Sequence, residues 1–503
     1  MAGSAEHRIS FSPEDVAVFS AASHDRSPLH LSDEYARKTP YGQPVLFGVL
    51  TGLASIGHIQ PRPFGRIARV VMEFAKPMFA GIEYSLQVAH QSDGVARARV
   101  YDGRHLTLKT TVEFRDEHDE SRPGIAAPVI RGSQTAQLDK LTPGFQTHAT
   151  YMPAWEHVAA VMNRLGLIGK GIDEQQVAAL MWCSHFVGME LPDSRGLVSG
   201  ISLEFERSHD THHAPLDCRA TVLSFDQRFD RLKIGVAFGS NCCSLASGEV
   251  TAFVRQDVSA PEISRVVRLL PASRNLEGKV ALVMGGSRGL GAVIVQFLSL
   301  QGCKVLVGYH KSTAAAAALK ESLSAAPGEV SLVQGDAANV YWCEELKHRI
   351  VRAERKLDFL ICTAGPALLP YWLEPRTIDR INEHVNRSFA LVSVPMAVFL
   401  DELARNGGWN VVVSSSAVRR AVTEWPHYVS AKHAIEGLVK VAAQQYQPVN
   451  FLLVRPPRLL TDLTNTPLGR EGATPPEKVA AKIVKRLSRP SPATRLNMLS
   501  DFR

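Results

Sequence analysis

The chain has 503 residues, and at about 100 to 200 residues per domain that predicts two to four domains, each long enough to bury a full core. Hydrophobic residues make up 45% and charged residues 21%, close to the soluble globular average, which excludes a disordered or fibrous chain. Lysine and arginine number 56 against 49 aspartate and glutamate, a formal net charge of +7; the excess suits an anionic partner but is too diffuse for nucleic acid.

Seven cysteines, Cys183, Cys218, Cys242, Cys243, Cys303, Cys343 and Cys362, are scattered and never spaced as CxxC, so they read as reduced thiols, and no metal site is expected. The amino terminus lacks a basic-then-apolar signal pattern, and no run of 18 or more apolar residues occurs; a cytoplasmic protein outside the membrane is expected. Polar, Pro/Gly-bearing stretches at about 117 to 137 and 256 to 278 cut the chain into three blocks.

The first block, 1–125, opens with Ser12-Pro13-Glu14-Asp15, a cap with Pro at the first helical position, so a short helix to about Ala22 follows. A polar loop, SHDRSPLHLSDEY, precedes a mostly apolar segment, VLFGVLTGLASIGHI. Strands alternating with period two follow at RIARVVMEF, YSLQVAH, ARARVYDG and LTLKTTVEF. One long helix beside a meander is predicted. The second block, 138–256, repeats that order, with a helix-like VAALMWCSHFVGMEL, an FxGM-like turn and four strands; Phe205 in LEF matching Phe74 in MEF suggests an internal duplication. This copy has no counterpart of the polar SHDRSPLH loop. His185 falls on its apolar helix and reads as a satisfied core histidine, and His209, Asp210, His212 and His213 crowd a loop without ordered ligand geometry. After a linker at 257–275, the third block, 276–503, alternates strand and helix, which predicts right-handed βαβ units on a parallel sheet.

In that third block Gly285-Gly286-Ser287-Arg288-Gly289-Leu290-Gly291 follows the strand KVALVM and opens a helix. Glycines at 285, 289 and 291 let the backbone turn tightly and approach a pyrophosphate at the helix amino terminus. Tyr428 and Lys432 stand at i and i+4, with Ser415 thirteen residues before Tyr428 and Asn386 forty-two before it. On these residues the block resembles the short-chain dehydrogenase/reductase family, which implies a doubly wound Rossmann fold. A cation one helical turn away stabilises a phenolate, so Tyr428 suits protonation of a carbonyl oxygen, with Lys432 lowering its pKa and holding a ribose. Ser415 can hydrogen-bond the substrate oxygen, and the resemblance implies that Asn386 fixes a relay water behind Lys432. The second strand ends in His310 and Lys311 with no acidic residue for a ribose 2′-hydroxyl; with Arg288 that points to NADPH. Asp336 matches the family's adenine-contacting aspartate, Thr461 its nicotinamide-loop threonine, and Ser287, Leu290, Ala364 and Gly365 fall among the cofactor contacts. The family's Asn-Asn-Ala-Gly is here Cys362-Thr363-Ala364-Gly365, and its Pro-Gly after strand six is Pro456-Pro457.

In the first block Asp25-Arg26-Ser27-Pro28-Leu29-His30, then Tyr35-Ala36 and Phe47-Gly48-Val49-Leu50, resembles the MaoC-like (R)-specific enoyl-CoA hydratase family, which implies a hot dog fold and, with the second copy, a double hot dog. Asp25 and His30 supply two groups of different pKa for one water or hydroxyl, the requirement of reversible dehydration. The N–H of Gly48, at the start of the central helix, suits polarisation of a thioester carbonyl. The family's asparagine is here Ser27, and its histidine before the helix glycine is Phe47.

The expectation is a multidomain α+β double hot dog followed by an α/β Rossmann domain. Its function is expected to be NADPH-dependent 3-ketoacyl-thioester reduction and dehydration of the (R)-3-hydroxyacyl product, on coenzyme A or an acidic acyl carrier protein, in fatty acid or polyketide-type biosynthesis. A homodimer or homotetramer is expected. Two alternatives stand beside it: the same sites run backwards as hydratase and dehydrogenase, and a non-catalytic acyl-carrier-binding scaffold.

Overall fold

A computed structural model describes residues 5–62, 65–90, 94–116, 141–206, 213–240, 243–256, 261–420, 422–489 and 495–502. The chain divides into two compact units, Met1–Arg37 with Gln43–Gln256, and Lys38–Gly42 with Asp257–Arg503.

The amino-terminal unit carries a ten-stranded antiparallel sheet. Its first half contains β1 (Ala5–Ile9), β2 (Gly65–Phe74), β3 (Tyr84–His90), β4 (Val95–Asp102) and β5 (His105–Asp116). The second half contains β6 (Gln146–Tyr151), β7 (Gly196–Phe205), β8 (Leu216–Asp226), β9 (Arg231–Ser240) and β10 (Cys243–Val254). The order is β1-β3-β4-β5-β2 and then β7-β10-β9-β8-β6, the same order run once forwards and once backwards. The expected duplication is written in this pairing. Val71 and Ser202 each lie three residues before the matched Phe74 and Phe205, and they pair with each other where β2 meets β7.

The meander strands fall where alternation placed them. The edge strands β1 and β6 carry no clear alternation in AEHRI and QTHATY, and pairing with β3 and β8 makes them strands. Four helices matter for the site: α1 (Pro13–Ser23), α2 (Gly48–Gly57), α3 (Trp155–Arg164) and α4 (Glu174–His185). The Ser12–Asp15 box caps α1, with Asp15 N–H on Ser12 Oγ at 3.2 Å and Ser12 N–H on Asp15 Oδ2 at 2.6 Å. Helices α2 and α4 are the core of their halves, with Val49–Ile56 and Gln175–Ser184 buried without interruption, as a helix apolar all round must be. A Cβ on Gly52 would lie 2.3 Å from Met72 Sδ, so glycine lets α2 lie close on β2. The expected FxGM turn is instead a π-helical turn, Phe186–Glu190, continuing α4.

The carboxyl-terminal unit carries β11 (Val280–Met284), β12 (Lys304–Tyr309), β13 (Val330–Gln334), β14 (Phe359–Cys362), β15 (Trp409–Val413), β16 (Asn450–Val454) and β17 (Leu496–Leu499), all parallel, in the order β13-β12-β11-β14-β15-β16-β17. This is the doubly wound arrangement. β11 and β16 are buried at every residue, which explains why they read as unbroken apolar runs. Three helices frame the site: α5 (Gly289–Leu300), α6 (Ile378–Asn406) and α7 (Pro426–Gln445). The stretch expected as linker holds a helix, Ile263–Leu269, that packs against α5 through the buried Val266.

Candidate active sites

In the carboxyl-terminal unit the strand order reverses between β11 and β14, and ligands of doubly wound sheets bind at the carboxyl ends of such strands. Gly285 and Gly289 take positive φ, 83° and 54°, the region glycine tolerates. A Cβ on Gly285 would meet Ala364 N at 2.6 Å, and one on Gly291 would meet the Gly285 carbonyl oxygen at 2.2 Å. Thr363 takes over the missing asparagine's structural part. Its hydroxyl lies 2.9 Å from the Met284 carbonyl and 3.1 Å from that of Gly285, and Thr363 and Ala364 N–H both donate to Met284 O. The Thr461 methyl carbon lies 3.8 Å from the Cβ position of Gly289, facing the turn. Leu290 and Ser287 are buried, while nothing among the described residues lies within 4 Å of the Cβ position of Gly365.

The expected acid/base residue, Tyr428, stands on α7 with Lys432. Tyr428 is hydrogen-bonded to Ser415, and burial raises its phenol above the usual value against that bond. Lys432 Nζ lies 5.5 Å from the centroid of the Tyr428 ring and donates to the Val413 carbonyl at 2.9 Å; burial lowers it to about 8 against the pull of Glu436. The expected net lowering of Tyr428 is therefore corrected: desolvation of the buried phenol outweighs the Ser415 bond.

Glu436, one turn beyond Lys432, escaped the sequence reading. Its carboxylate accepts from Arg455 Nε at 2.8 Å, Arg455 Nη2 at 2.5 Å and Ser414 Oγ at 2.6 Å, tying α7 to the ends of β15 and β16. The signal was available, since Tyr428, Lys432 and Glu436 follow at i, i+4 and i+8. His384 and His427 were also missed; burial pushes both down to about 4, and their rings meet edge-on at 4.3 Å.

Three expected cofactor or relay residues have the following surroundings. Asn386 on α6 is exposed, and no hydrogen bond joins its side chain to Lys432 among the described residues. Arg288 is not a free cation: its Nη1 lies 3.4 Å from Asp462 Oδ2. Asp336 receives Arg387 through two nitrogens at 3.0 and 2.8 Å and the Ala338 N–H at 3.0 Å; burial opposes its ionisation, but these bonds outweigh it and hold the carboxyl below its usual range. His310 and Lys311 stand exposed just beyond β12.

In the amino-terminal unit the polar loop contains a helical turn, Pro28–Leu31, with Pro at its first position and His30 upon it. His30 Nδ1 lies 2.8 Å from the Val45 carbonyl, so a proton there leaves Nε2 bare. Burial lowers its pKa, against the pull of Asp25 and the Val45 bond. Phe47 is wholly buried, 4.1 Å from the His30 ring and 4.9 Å from that of Phe19, and forms the floor of the histidine. Gly48 follows as the first residue of α2, where N–H groups have no intrahelical partner. A Cβ there would meet the Phe74 ring at 3.1 Å. Asp25 is wholly buried, neither a helix cap nor a surface residue; its Oδ1 accepts from Ser27 N–H at 3.0 Å and its Oδ2 from Ser184 Oγ at 2.7 Å. Ser27 Oγ is buried with no partner among the described residues.

A family model for short chain dehydrogenase matches residues 279–470, and one for the MaoC like domain matches residues 2–112. An uncharacterized oxidoreductase of Saccharomyces cerevisiae is 32% identical over 196 residues, 37% of this chain and 72% of that protein. The chain joins a MaoC-like domain to a short-chain dehydrogenase. A hydroxynaphthalene reductase of Aspergillus fumigatus is 30% identical over 171 residues, 34% of this chain, which spans 62% of the length of that relative. An alcohol dehydrogenase from the archaeon Thermococcus sibiricus, solved with 5-hydroxy-NADP, is 25% identical, covers 44% of this chain and 95% of its own, and has a TM-score of 0.41.

The short-chain dehydrogenase match contains the glycine turn, Ser415, Tyr428, Lys432 and Thr461, and the MaoC-like match contains Asp25, His30 and Gly48. His185 is satisfied, with Nδ1 3.0 Å from the His24 carbonyl and Nε2 3.3 Å from Glu190. No group of three metal-ligating side chains occurs among the described residues; His209, Asp210 and His212 lie outside them. No helix among the described residues is long and apolar enough to cross a membrane.

Proposed function

We propose that the short-chain dehydrogenase domain reduces a 3-ketoacyl thioester with NADPH and that the MaoC-like domain dehydrates the (R)-3-hydroxyacyl product to the trans-2-enoyl thioester. One observation carries the reading: Ser415–Tyr428–Lys432 and Asp25–His30 stand in one chain, and the product of a ketoreductase is the substrate of a dehydratase.

The glycine turn suits a nicotinamide dinucleotide, since it leaves a cradle that a Cβ at 285 or 291 would fill. Gly285, Ser287, Gly289, Leu290 and Gly291 would hold the pyrophosphate, and Ala364, Gly365 and Thr461 would line the nicotinamide side. His310 and Lys311 would meet a 2′-phosphate, with Arg288 contributing a charge shared with Asp462. NADPH, when bound, supplies the hydride. Tyr428 supplies the proton: its raised pKa keeps the phenol protonated, the state a donor to a carbonyl oxygen needs, and the Lys432 ammonium favours the phenolate once the proton has left. Ser415 orients the substrate oxygen.

In the MaoC-like domain, each half reads as a hot dog wrapped on its buried helix. His30 Nε2 takes the proton from the α-carbon, the Asp25 carboxyl protonates the departing hydroxyl, and water leaves. The Gly48 N–H supports the enolate-like oxygen of the thioester, and the orphaned Ser27 hydroxyl offers a hydrogen bond to the substrate. The positive net charge suits an anionic carrier, coenzyme A or an acidic carrier protein, and five buried free cysteines suit a reducing cytoplasm. We assign the chain to fatty acid or polyketide-type biosynthesis, as a homo-oligomer.

The test is incubation with NADPH and a 3-ketoacyl-CoA, following NADPH loss and enoyl product together. Tyr428→Phe is expected to abolish NADPH oxidation while enoyl-CoA hydration persists, and Asp25→Asn to do the reverse, lowering hydration by roughly a hundredfold or more. Loss of both activities in either variant would overturn the two-site reading, and no turnover by the parent protein would favour a carrier-binding scaffold.

A further inference from the structure

We propose that Ser184 and Gly188, in the second half of the duplicated unit, are positioning residues for the Asp25 carboxylate, so that the acid/base site is completed by the copy that carries no acid or base of its own. The proposal rests on the reading of Asp25 as the dehydratase carboxyl.

The Asp25 carboxylate has two holders of different reach. Ser27 N–H, two residues away, holds Oδ1 and shapes the loop. Ser184 Oγ, in the last turn of α4 and 159 residues along the chain, donates to Oδ2 at 2.7 Å. The next residue, His185, contacts the carbonyl of His24 at 3.0 Å through Nδ1 and is itself fixed by Glu190. Consecutive residues of α4 thus grip the loop by its backbone and by its carboxylate. Gly188, in the π-helical turn that extends α4, permits the approach: a Cβ there would lie 2.9 Å from Asp25 Oδ1, 3.1 Å from Ser27 Cβ and 3.3 Å from Asp25 Oδ2.

The duplication explains where this contact comes from. Gly57 ends α2 as Gly188 extends α4, and a Cβ on Gly57 would lie 1.9 Å from the carbonyl oxygen of Leu165, just after α3. Each half's central helix therefore buttresses, through a glycine, the segment that follows the other half's short helix. The segment after α3, Leu165-Gly166, carries no acid or base, and four residues before Gly57 stands Leu53; the segment after α1 carries Asp25, and four residues before Gly188 stands Ser184. The hydroxyl occurs on the side of the pseudo-symmetric pair that has a carboxylate to hold. In the hydration direction Asp25 enters as the carboxylate that takes a proton from water, the form that accepts such a bond at charge-assisted strength, and a fixed carboxyl is what proton transfer to or from one hydroxyl requires.

The experiment is hydration of trans-2-butenoyl-CoA by the full chain, with Ser184→Ala, Ser184→Cys, Asp25→Asn and the double variant Ser184→Ala/Asp25→Asn. Ser184→Ala is expected to lower kcat about ten- to a hundredfold, the loss of one hydrogen bond to a charged group, with KM within about twofold. Ser184→Cys, similar in size with a weaker donor, should fall between. In the Asp25→Asn background Ser184→Ala should cost almost nothing further, because its effect runs through the carboxylate; a merely structural loss would add in full. Ser55→Ala, which deletes a buried hydroxyl bonded to Thr110, is the control for structural loss and should leave kcat within about twofold. If Asp25→Asn is inactive while Ser184→Ala and Ser184→Cys keep parental kcat, or if the double variant shows additive losses, the proposal is overturned and the dehydratase reading stands. If Asp25→Asn turns over like the parent, the reading itself fails.

Discussion

Gly291→Ala tests the proposed dinucleotide cradle apart from the rest of the chain. The backbone at Gly291 is helical, so alanine meets no conformational penalty there, and the whole effect comes from space. The new Cβ would sit 2.2 Å from the Gly285 carbonyl oxygen and 2.7 Å from Thr363 Oγ1. The hydroxyl can rotate away, but the carbonyl belongs to the turn that would receive the pyrophosphate. Relief requires moving either Gly285 or the start of α5, and overpacking of this kind typically costs about 1 to 3 kcal/mol. Where that displacement is borne by the turn, NADPH affinity should fall roughly five- to a hundredfold, at 1.4 kcal/mol per factor of ten. The assay is titration of NADPH fluorescence, with circular dichroism to check the fold and enoyl-CoA hydration as the internal control in the other unit. A folded Gly291→Ala protein that binds NADPH within about twofold of the parent would refute the assignment of this turn as the cradle.

Lys432 titrates near 8, below its ordinary 10.5. The unfolded chain therefore holds that proton more tightly between those values, the cost of the buried ammonium is fully present below pH 8, and it fades as pH rises towards 10.5. Lys432→Met should raise the melting temperature at pH 7 by more than at pH 10 while abolishing reduction, and parental NADPH oxidation should decline above about pH 8; a pH-independent change in melting would contradict this. Lys311→Glu should weaken NADPH by about tenfold or more and leave NADH within about twofold, read by the same titration; equal losses would remove Lys311 as the 2′-phosphate contact. Burial holds His30 below 6.5, so dehydration of a 3-hydroxyacyl-CoA, the direction in which His30 is the base, should stay flat from pH 8 to 6.5 and fall below that, and a half-loss at or above pH 6.5 in the rate profile would show that His30 is not the base.

What could be read from the residues alone was whatever is local or periodic. The glycine turn, the Tyr428–Lys432 spacing and the period-two strands are determined within a few residues, and the structure sets them on α5, α7 and the antiparallel sheet. Three readings gave way to packing. Tyr428 was expected to be lowered by Lys432 and is raised, because the loss of water around the phenol exceeds the effect of the Ser415 bond. Arg288, read as one of the cations pointing to NADPH, finds Asp462 far along the chain. Thr363, read as a departure from the family's asparagine, bonds the two carbonyls that shape the glycine turn. None of these is periodic, and each depends on which chain end the parallel sheet brings beside which.

The two halves of the MaoC-like unit show how the same physics yields different legibility. Their strand orders are identical, their central helices are buried alike, and their closing glycines press on equivalent segments, so the duplication was visible in a Phe74–Phe205 match and in the repeated order of elements. By chemistry alone the second half looks spent, since it has no counterpart of Asp25 and His30. Its value lies in long-range contacts that no spacing reveals: Ser184 on the carboxylate, His185 on the backbone beside it and Gly188 beneath both. Asp25 has no exposure, and the bonds that hold its two carboxyl oxygens come from Ser27 N–H on its own loop and from Ser184 Oγ on the other half. One half alone presents a loop with nothing behind it, and the retained copy supplies the wall that makes Asp25 a fixed group.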